Sequence, residues 1–459
     1  ATRDRIRQLQ DEISKIGQTF DKNIREDVRT VYATPEELEG LPEDYIASHP
    51  VVDGKVAITT GYTDTFPVFV FAKSDALRER LRRASRSRAY PDNEPVLKEL
   101  LTKRYELAGI LGFDNHADLV TADKMIGSAD NAKNFIEKVT KLTRPVVAAE
   151  KQQLLERLQK IDPEATDVNR WQISYLEALL KKEVYEVDSA EVRQYFSYGK
   201  VRDGIFTLVS DLFDVEFRTW DTETWHDSVE SYEMLQNGEV VAQFHLDMHP
   251  RDGKYQHAAA FGTRIGLKNR QLPLTTLVCN FPGEGNPDEL MEFSQVETFL
   301  HEFGHLIHGL FAGHQRWTSI SGIATEWDFV EAPSQMLEEW VYDYDTLKTF
   351  ATNAEGEVIP EELVEKMNRA RRFGAGTTKS IQMLYAALSL NFHAEDPANL
   401  DMLAKQLELE ANYSPFPHHE DTYFFSNFGH LNGYSAIYPK SSSSNNDQPS
   451  SHLIRRYTR

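Results

Sequence analysis

Two histidines four residues apart, His301 and His305, bracket Glu302 in the segment His301-Glu302-Phe303-Gly304-His305. On a helix, positions i and i+4 lie one above the other on the same face, so both imidazoles can reach a single zinc ion. Glu302 stands beside them, placed to take a proton from a metal-held water. Leu300, Phe303, Leu306, Ile307 and Leu310 give the same stretch an apolar face, and Val296-Glu297-Thr298-Phe299-Leu300 gives it a helical approach. A helix that packs into a core while carrying two histidines and a glutamate needs a reason to bury them, and a metal supplies one.

A catalytic zinc ordinarily takes three protein ligands and keeps one position open. Glu331 is the best third candidate, because it opens the helical start Glu331-Ala332-Pro333-Ser334-Gln335, from which an adjacent helix can return a carboxylate to the metal. Spacing alone leaves a second reading open, that of a first-turn acid favoured by the helix dipole. His308 forms a further i, i+3 pair with His305 and is expected to pack rather than to ligate. Asp328 and Glu326 are candidate acceptors for the imidazole N–H groups, which metal-binding histidines usually donate outward.

The elements that must position these residues change character along the chain. Ile6, Leu9, Ile13, Ile16 and Phe20 recur at helical steps, and a turn-rich stretch with Pro35, Pro42, Pro50, Gly40, Gly54 and Gly61 then runs from Thr34 to Pro67. Residues 74–160, 166–182 and 189–213 again pattern as helices. From about residue 215, β-branched and aromatic runs at 215–219, 238–247, 258–265 and 274–280 predict a small sheet just before the motif helix. Helices are expected at 288–308, 332–347, 360–373 and 378–392. The resulting segmentation is an N-terminal helical lobe (1–214), a β-containing segment (215–285), a helical catalytic region (286–438) and a low-complexity polar tail (439–459) that includes Ser441-Ser442-Ser443-Ser444.

Composition excludes several classes of function. The 459 residues carry 50 basic and 72 acidic side chains, a net charge of −22, which argues against nucleic acid as a partner. No apolar run approaches the ~18 residues that would predict a membrane span. The charged amphipathic start lacks the apolar core expected of a signal peptide. The one cysteine, Cys279, cannot form an internal disulfide and fits a reducing, cytoplasmic compartment; its apolar neighbours predict a buried packing role.

Three motifs in order resemble the thimet oligopeptidase family of zinc peptidases, family M3. The stretch His301 to His308 is similar to its HEFGHxxH signature. Asp328-Phe329-Val330-Glu331-Ala332-Pro333-Ser334-Gln335-Met336 is similar to the segment that carries its third zinc ligand. His430-Leu431-Asn432-Gly433-Tyr434-Ser435-Ala436-Ile437-Tyr438 is similar to its C-terminal substrate-binding motif. His249-Pro250-Arg251-Asp252-Gly253-Lys254 and His257-Ala258-Ala259 match in character, and the resemblance runs from near residue 1 to Tyr438. It implies one zinc ion on His301, His305 and Glu331, with Glu302 as general base. His430 and Tyr438 would donate to the substrate backbone and the tetrahedral intermediate, with Tyr434 and Gly433 as further substrate contacts. The implied fold is mainly α with a small β-sheet, two-lobed around a deep channel. The implied substrates are short unfolded peptides, cut as an endopeptidase or as a C-terminal dipeptidase. The pattern departs from the family at both ends: members are expected to be longer, and a tyrosine expected after Tyr438 falls near Ser441. The alternative from another class is a zinc-holding scaffold that binds peptides without cutting them.

Overall fold

The computed structural model describes residues 2–255 and 257–437. Among these residues, helices dominate and two antiparallel-rich sheets supply the remainder. The chain divides into two compact units. One takes the sequence up to Val184 and resumes at Arg371; the other is Tyr185–Ala370. This contact-based division crosses the segmentation drawn from sequence, because composition follows the chain whereas packing regroups distant stretches.

In the first unit the long helix Ala129–Gln159 packs against Ala375–Ala394, and Thr2–Glu26 packs against Asn93–Ile110. Met383, Leu384, Leu388 and Phe392 of the late helix bury against Phe20, Leu97 and Leu101 of the early ones, which is what draws the C-terminal segment back into this unit. The Glu150 carboxylate caps the late helix, accepting from the Gly376 N–H at 2.9 Å, the Thr377 N–H at 2.6 Å and the Thr377 hydroxyl at 2.8 Å. It thereby satisfies first-turn donors that have no partner within a helix.

The turn-rich reading of 34–67 requires correction. A three-stranded sheet forms there from β1 (Thr30–Ala33), β2 (Val51–Val52) and β3 (Lys55–Thr59), in the order β1-β3-β2. Val56 and Ile58 alternate inward and are fully buried against Val68, Leu77 and Leu81. The strands are so short that the surrounding prolines and glycines mask their period-two pattern.

The second unit holds the predicted sheet, enlarged by a strand that the sequence reading lacked. Its strands are β4 (Glu216–Thr219), β5 (Glu230–Gln236), β6 (Glu239–Asp247), β7 (Ala259–Arg264) and β8 (Leu274–Val278), ordered β4-β5-β6-β8-β7 with the β6–β8 pair parallel. The β5–β6 hairpin turns at Asn237-Gly238, both at positive φ (54° and 78°), a dipeptide suited to such a turn. On this sheet lies the motif helix, Phe293–Phe311, whose Val296, Phe299, Leu300, Phe303, Leu306 and Leu310 share one core with Phe244, Leu246 and Leu277. Those positions recur at steps of three and four, so a single stripe is buried while the opposite stripe is left to His301 and His305.

The helix Ala332–Glu338 returns across the motif helix at Gly304. A Cβ placed on Gly304 would stand 2.6 Å from the Ser334 Cα and 3.0 Å from the Pro333 carbonyl oxygen. Backbone meets backbone here, and neither atom can rotate aside. Gly304→Ala should therefore force the helices apart, costing about 1–3 kcal/mol in urea or thermal unfolding. An unchanged unfolding midpoint would count against this packing.

Candidate metal centre

Glu331 immediately precedes the return helix, where Pro333 suits the first turn because its missing N–H is not needed. The Ser334 hydroxyl, fully buried, donates to the Glu331 carbonyl at 2.9 Å and to its Oε2 at 3.1 Å, which fixes the carboxylate. Oε2 then lies 3.2 Å from His301 Nε2 and 3.0 Å from His305 Nε2. The two imidazoles stand nearly perpendicular, with centroids 4.9 Å apart and planes at 80°. One ligand atom from each of His301, His305 and Glu331 lies within 4.8 Å of the others, so the three can hold one metal ion.

Two tests of fit favour a metal here. A tetrahedral ion with bonds of about 2.0–2.1 Å separates neighbouring ligand atoms by about 3.3 Å, close to the observed spacings. In addition, Glu302 Oε2 is buried with no hydrogen-bond partner among the described residues. That orphaned acceptor sits on the ligand-bearing helix, where it calls for a proton or a water.

His301 has a further partner that the sequence reading did not name. Its Nδ1 contacts the Glu338 carboxylate, seven positions beyond Glu331 and therefore on the same face of the return helix. For His301 this carboxylate is an outward partner of the kind expected of Asp328 or Glu326. The i, i+7 relation to Glu331 was the available signal. Both ring nitrogens of His301 thus face carboxylates. Burial opposes a charge on the ring, but the hydrogen bonds to Glu331 and Glu338 prevail and lift its pKa from 6.5 to about 10. Burial would likewise raise Glu331, yet its bonds from His301 and His305 hold it well below the usual carboxylate range. Glu302 is moved upward by burial, against the pull of the two histidines. His308 is lowered by burial and by His305, and among the described residues its Nδ1 has no hydrogen-bond partner.

The remaining predicted residues fall elsewhere. His430, Gly433 and Tyr434 belong to the first unit, on the single turn His430–Gly433 and just after it. The His430 and Tyr434 rings are 5.1 Å apart, and His430 is exposed. The buried Arg104 guanidinium anchors this turn, donating to the Leu431 carbonyl at 2.6 Å and the Asn432 carbonyl at 2.9 Å. Tyr438 and Ser441 lie outside the described residues. In the second unit, the polar turn after β6 is locked by Asp247. Arg251 reaches its two oxygens at 2.6 and 2.7 Å, Lys254 at 2.9 Å and Trp225 Nε1 at 2.9 Å. Cys279 is fully buried and burial pushes its thiol well up, as a packing residue requires.

Residues 69–439 match Peptidase family M3. The chain belongs to peptidase family M3. Among similar proteins, the thimet-like oligopeptidase of Dictyostelium discoideum is 28% identical over 95% of this chain and 68% of its own length. Saccharolysin of Saccharomyces cerevisiae is 29% identical over 95% and 65%. Oligopeptidase A of Salmonella typhimurium is 30% identical over 83% and 60%. The chain thus spans 60 to 68% of the length of these relatives. The fold is similar to that of a solved PZ peptidase A with an inhibitor, at a TM-score of 0.57 with 13% identity over 94% of this chain and 64% of the other. A solved oligoendopeptidase F, described as putative, gives a TM-score of 0.56 with 15% identity over the same shares. These likenesses bear out the mainly helical M3-type fold read from the motifs.

Glu338→Gln should lower zinc affinity about 10- to 100-fold; an unaltered affinity would remove Glu338 from the support of His301.

Proposed function

We propose that this M3 chain is a zinc-dependent oligopeptidase that hydrolyses peptide bonds in short, unfolded peptides. The observation that carries the reading is the convergence of His301, His305 and Glu331 beside an unpartnered Glu302 carboxylate. In this reading His301, His305 and Glu331 hold the zinc, and Glu338 keeps the His301 ring oriented through Nδ1. Bound zinc supplies Lewis acidity and brings the pKa of a coordinated water toward about 7.

The chain's own residues do the rest. Glu302 Oε2, buried and without a competing donor, takes a proton from the attacking water and delivers it to the departing amine nitrogen. Its upward-moved pKa suits both halves of that transfer, since a carboxyl that holds the proton too weakly cannot return it as an acid. The exposed His430 and the neighbouring Tyr434 contact the substrate backbone, on the turn held by Arg104, and Gly433 leaves open space beside them. Tyr438, from the same motif, donates to the developing oxyanion. Losing one such donor typically costs about 10² to 10³ in rate.

No helix among the described residues is long and apolar enough to cross a membrane. A cytoplasmic location fits the single buried thiol; the names of similar proteins place one in the cytosol and others in organelles.

Glu302→Gln separates the chemistry from the binding. The variant should retain one zinc per chain while hydrolysis of a quenched-fluorescent peptide falls by at least about 10³. Residual cleavage near the parent rate would show the wrong base. An unsubstituted chain that binds zinc and peptide yet cleaves nothing would instead identify a peptide-binding scaffold.

A further inference from the structure

The first unit carries an open cavity lined by Arg82, Arg86, Arg170, Tyr385, Glu410 and His419 among others. Three guanidinium groups at one cavity demand compensation. Arg82 and Arg86 project from one face of the helix Asp75–Arg86, and Arg170 comes from the segment before Ile173–Tyr185. Among the described residues none of the three forms an ion pair with a carboxylate. Arg86 donates to the Tyr385 hydroxyl at 3.1 Å and lies 4.3 Å over the Phe424 ring, while Arg170 reaches only the Ser414 hydroxyl, at 3.5 Å. Among the described residues, the buried Nε atoms of Arg82 and Arg170 have no hydrogen-bond partner.

The one carboxylate in the lining, Glu410, is already engaged, accepting from Gln406 at 3.0 Å and contacting His418 Nδ1 at 2.6 Å. Outside the lining, Arg83 pairs with Glu79 at 2.9 Å and with Asp421 at 3.4 Å. Within the lining, three positive charges less the one of Glu410 leave two uncompensated. A dianion cancels two charges, and a tetrahedral oxyanion offers several acceptors that match the planar fork of arginine.

We propose that the Arg82–Arg86–Arg170 cavity is a binding site for a phosphate dianion, either free or as the terminal group of a phosphate ester. The surroundings already register the unbalanced charge. Burial would raise the Tyr385 phenol, but Arg86, Arg170 and Arg82 outweigh it and bring it down to about 8. Burial and its two neighbouring cations lower Arg82 well below the ordinary guanidinium range. An anion seated among the guanidiniums relieves both.

The experiment titrates inorganic phosphate into the full chain, with sodium chloride at matched ionic strength as the control. Saturable calorimetric binding is expected, with a rise in melting temperature beyond that given by chloride. The phenolate absorbance attributable to Tyr385, isolated by difference from Tyr385→Phe, should shift its midpoint upward from about 8. Arg82→Gln should weaken binding about tenfold or more without altering zinc content, which separates this site from the metal. Glycerol phosphate in place of phosphate distinguishes an ester-accepting site from one closed around the free ion. Phosphate no more effective than chloride on the parent chain would overturn the proposal even if the variants fail to fold. Undiminished binding by a folded Arg82→Gln protein would overturn it as well.

Discussion

At Gly304 two helix backbones touch where any side chain would separate them, and the metal site depends on that contact. The motif helix offers His301 and His305 on one stripe, but the third ligand must come from another part of the chain. Only a close crossing brings Glu331 Oε2 to 3.0 and 3.2 Å from the two imidazole nitrogens. The apolar stripe beneath, from Val296 to Leu310, presses the motif helix onto the five-stranded sheet and so fixes the height at which the return helix crosses. Ser334, pinned at the crossing, orients the carboxylate.

The same crossing sets the charge balance. Two histidines face three carboxylates, Glu302, Glu331 and Glu338, in a part-buried setting where each unpaired charge is costly. The His301 ring lies between two of these carboxylates, Nε2 toward Glu331 and Nδ1 toward Glu338, and a divalent ion held by His301, His305 and Glu331 would supply positive charge to the acidic cluster. Glu302 stays apart from these pairings, and among the described residues its Oε2 has no hydrogen-bond partner, which suits the proton-transfer role proposed for it.

Much of this was legible in the sequence, because the informative signals were local and periodic. The HExxH spacing, the apolar stripe and the Pro333-marked helix start each follow from one turn of helix. The strands from 216 onward were visible as β-branched runs, although Glu230–Gln236 was missed: its polar Glu230, Ser231, Glu233 and Gln236 hide the alternation. Val56 and Ile58 escaped notice because a five-residue strand among prolines and glycines carries too little pattern. The union of residues 371–437 with the N-terminal helices, and the arginine cavity that it forms, came from packing between stretches more than 200 positions apart, as the Glu150–Thr377 bond illustrates. Glu338 was legible in principle, one heptad after Glu331, but a lone glutamate on a helix is ordinarily a solvated surface residue.

The central claim is that two imidazoles and one carboxylate from this crossing hold a single zinc. Zinc-edge X-ray absorption on the zinc-loaded chain reads that set directly. The account predicts a first shell of nitrogen and oxygen at about 2.0–2.1 Å, with outer-shell scattering from two imidazole rings. A sulfur scatterer at about 2.3 Å, or an oxygen-only shell without imidazole scattering, would contradict it.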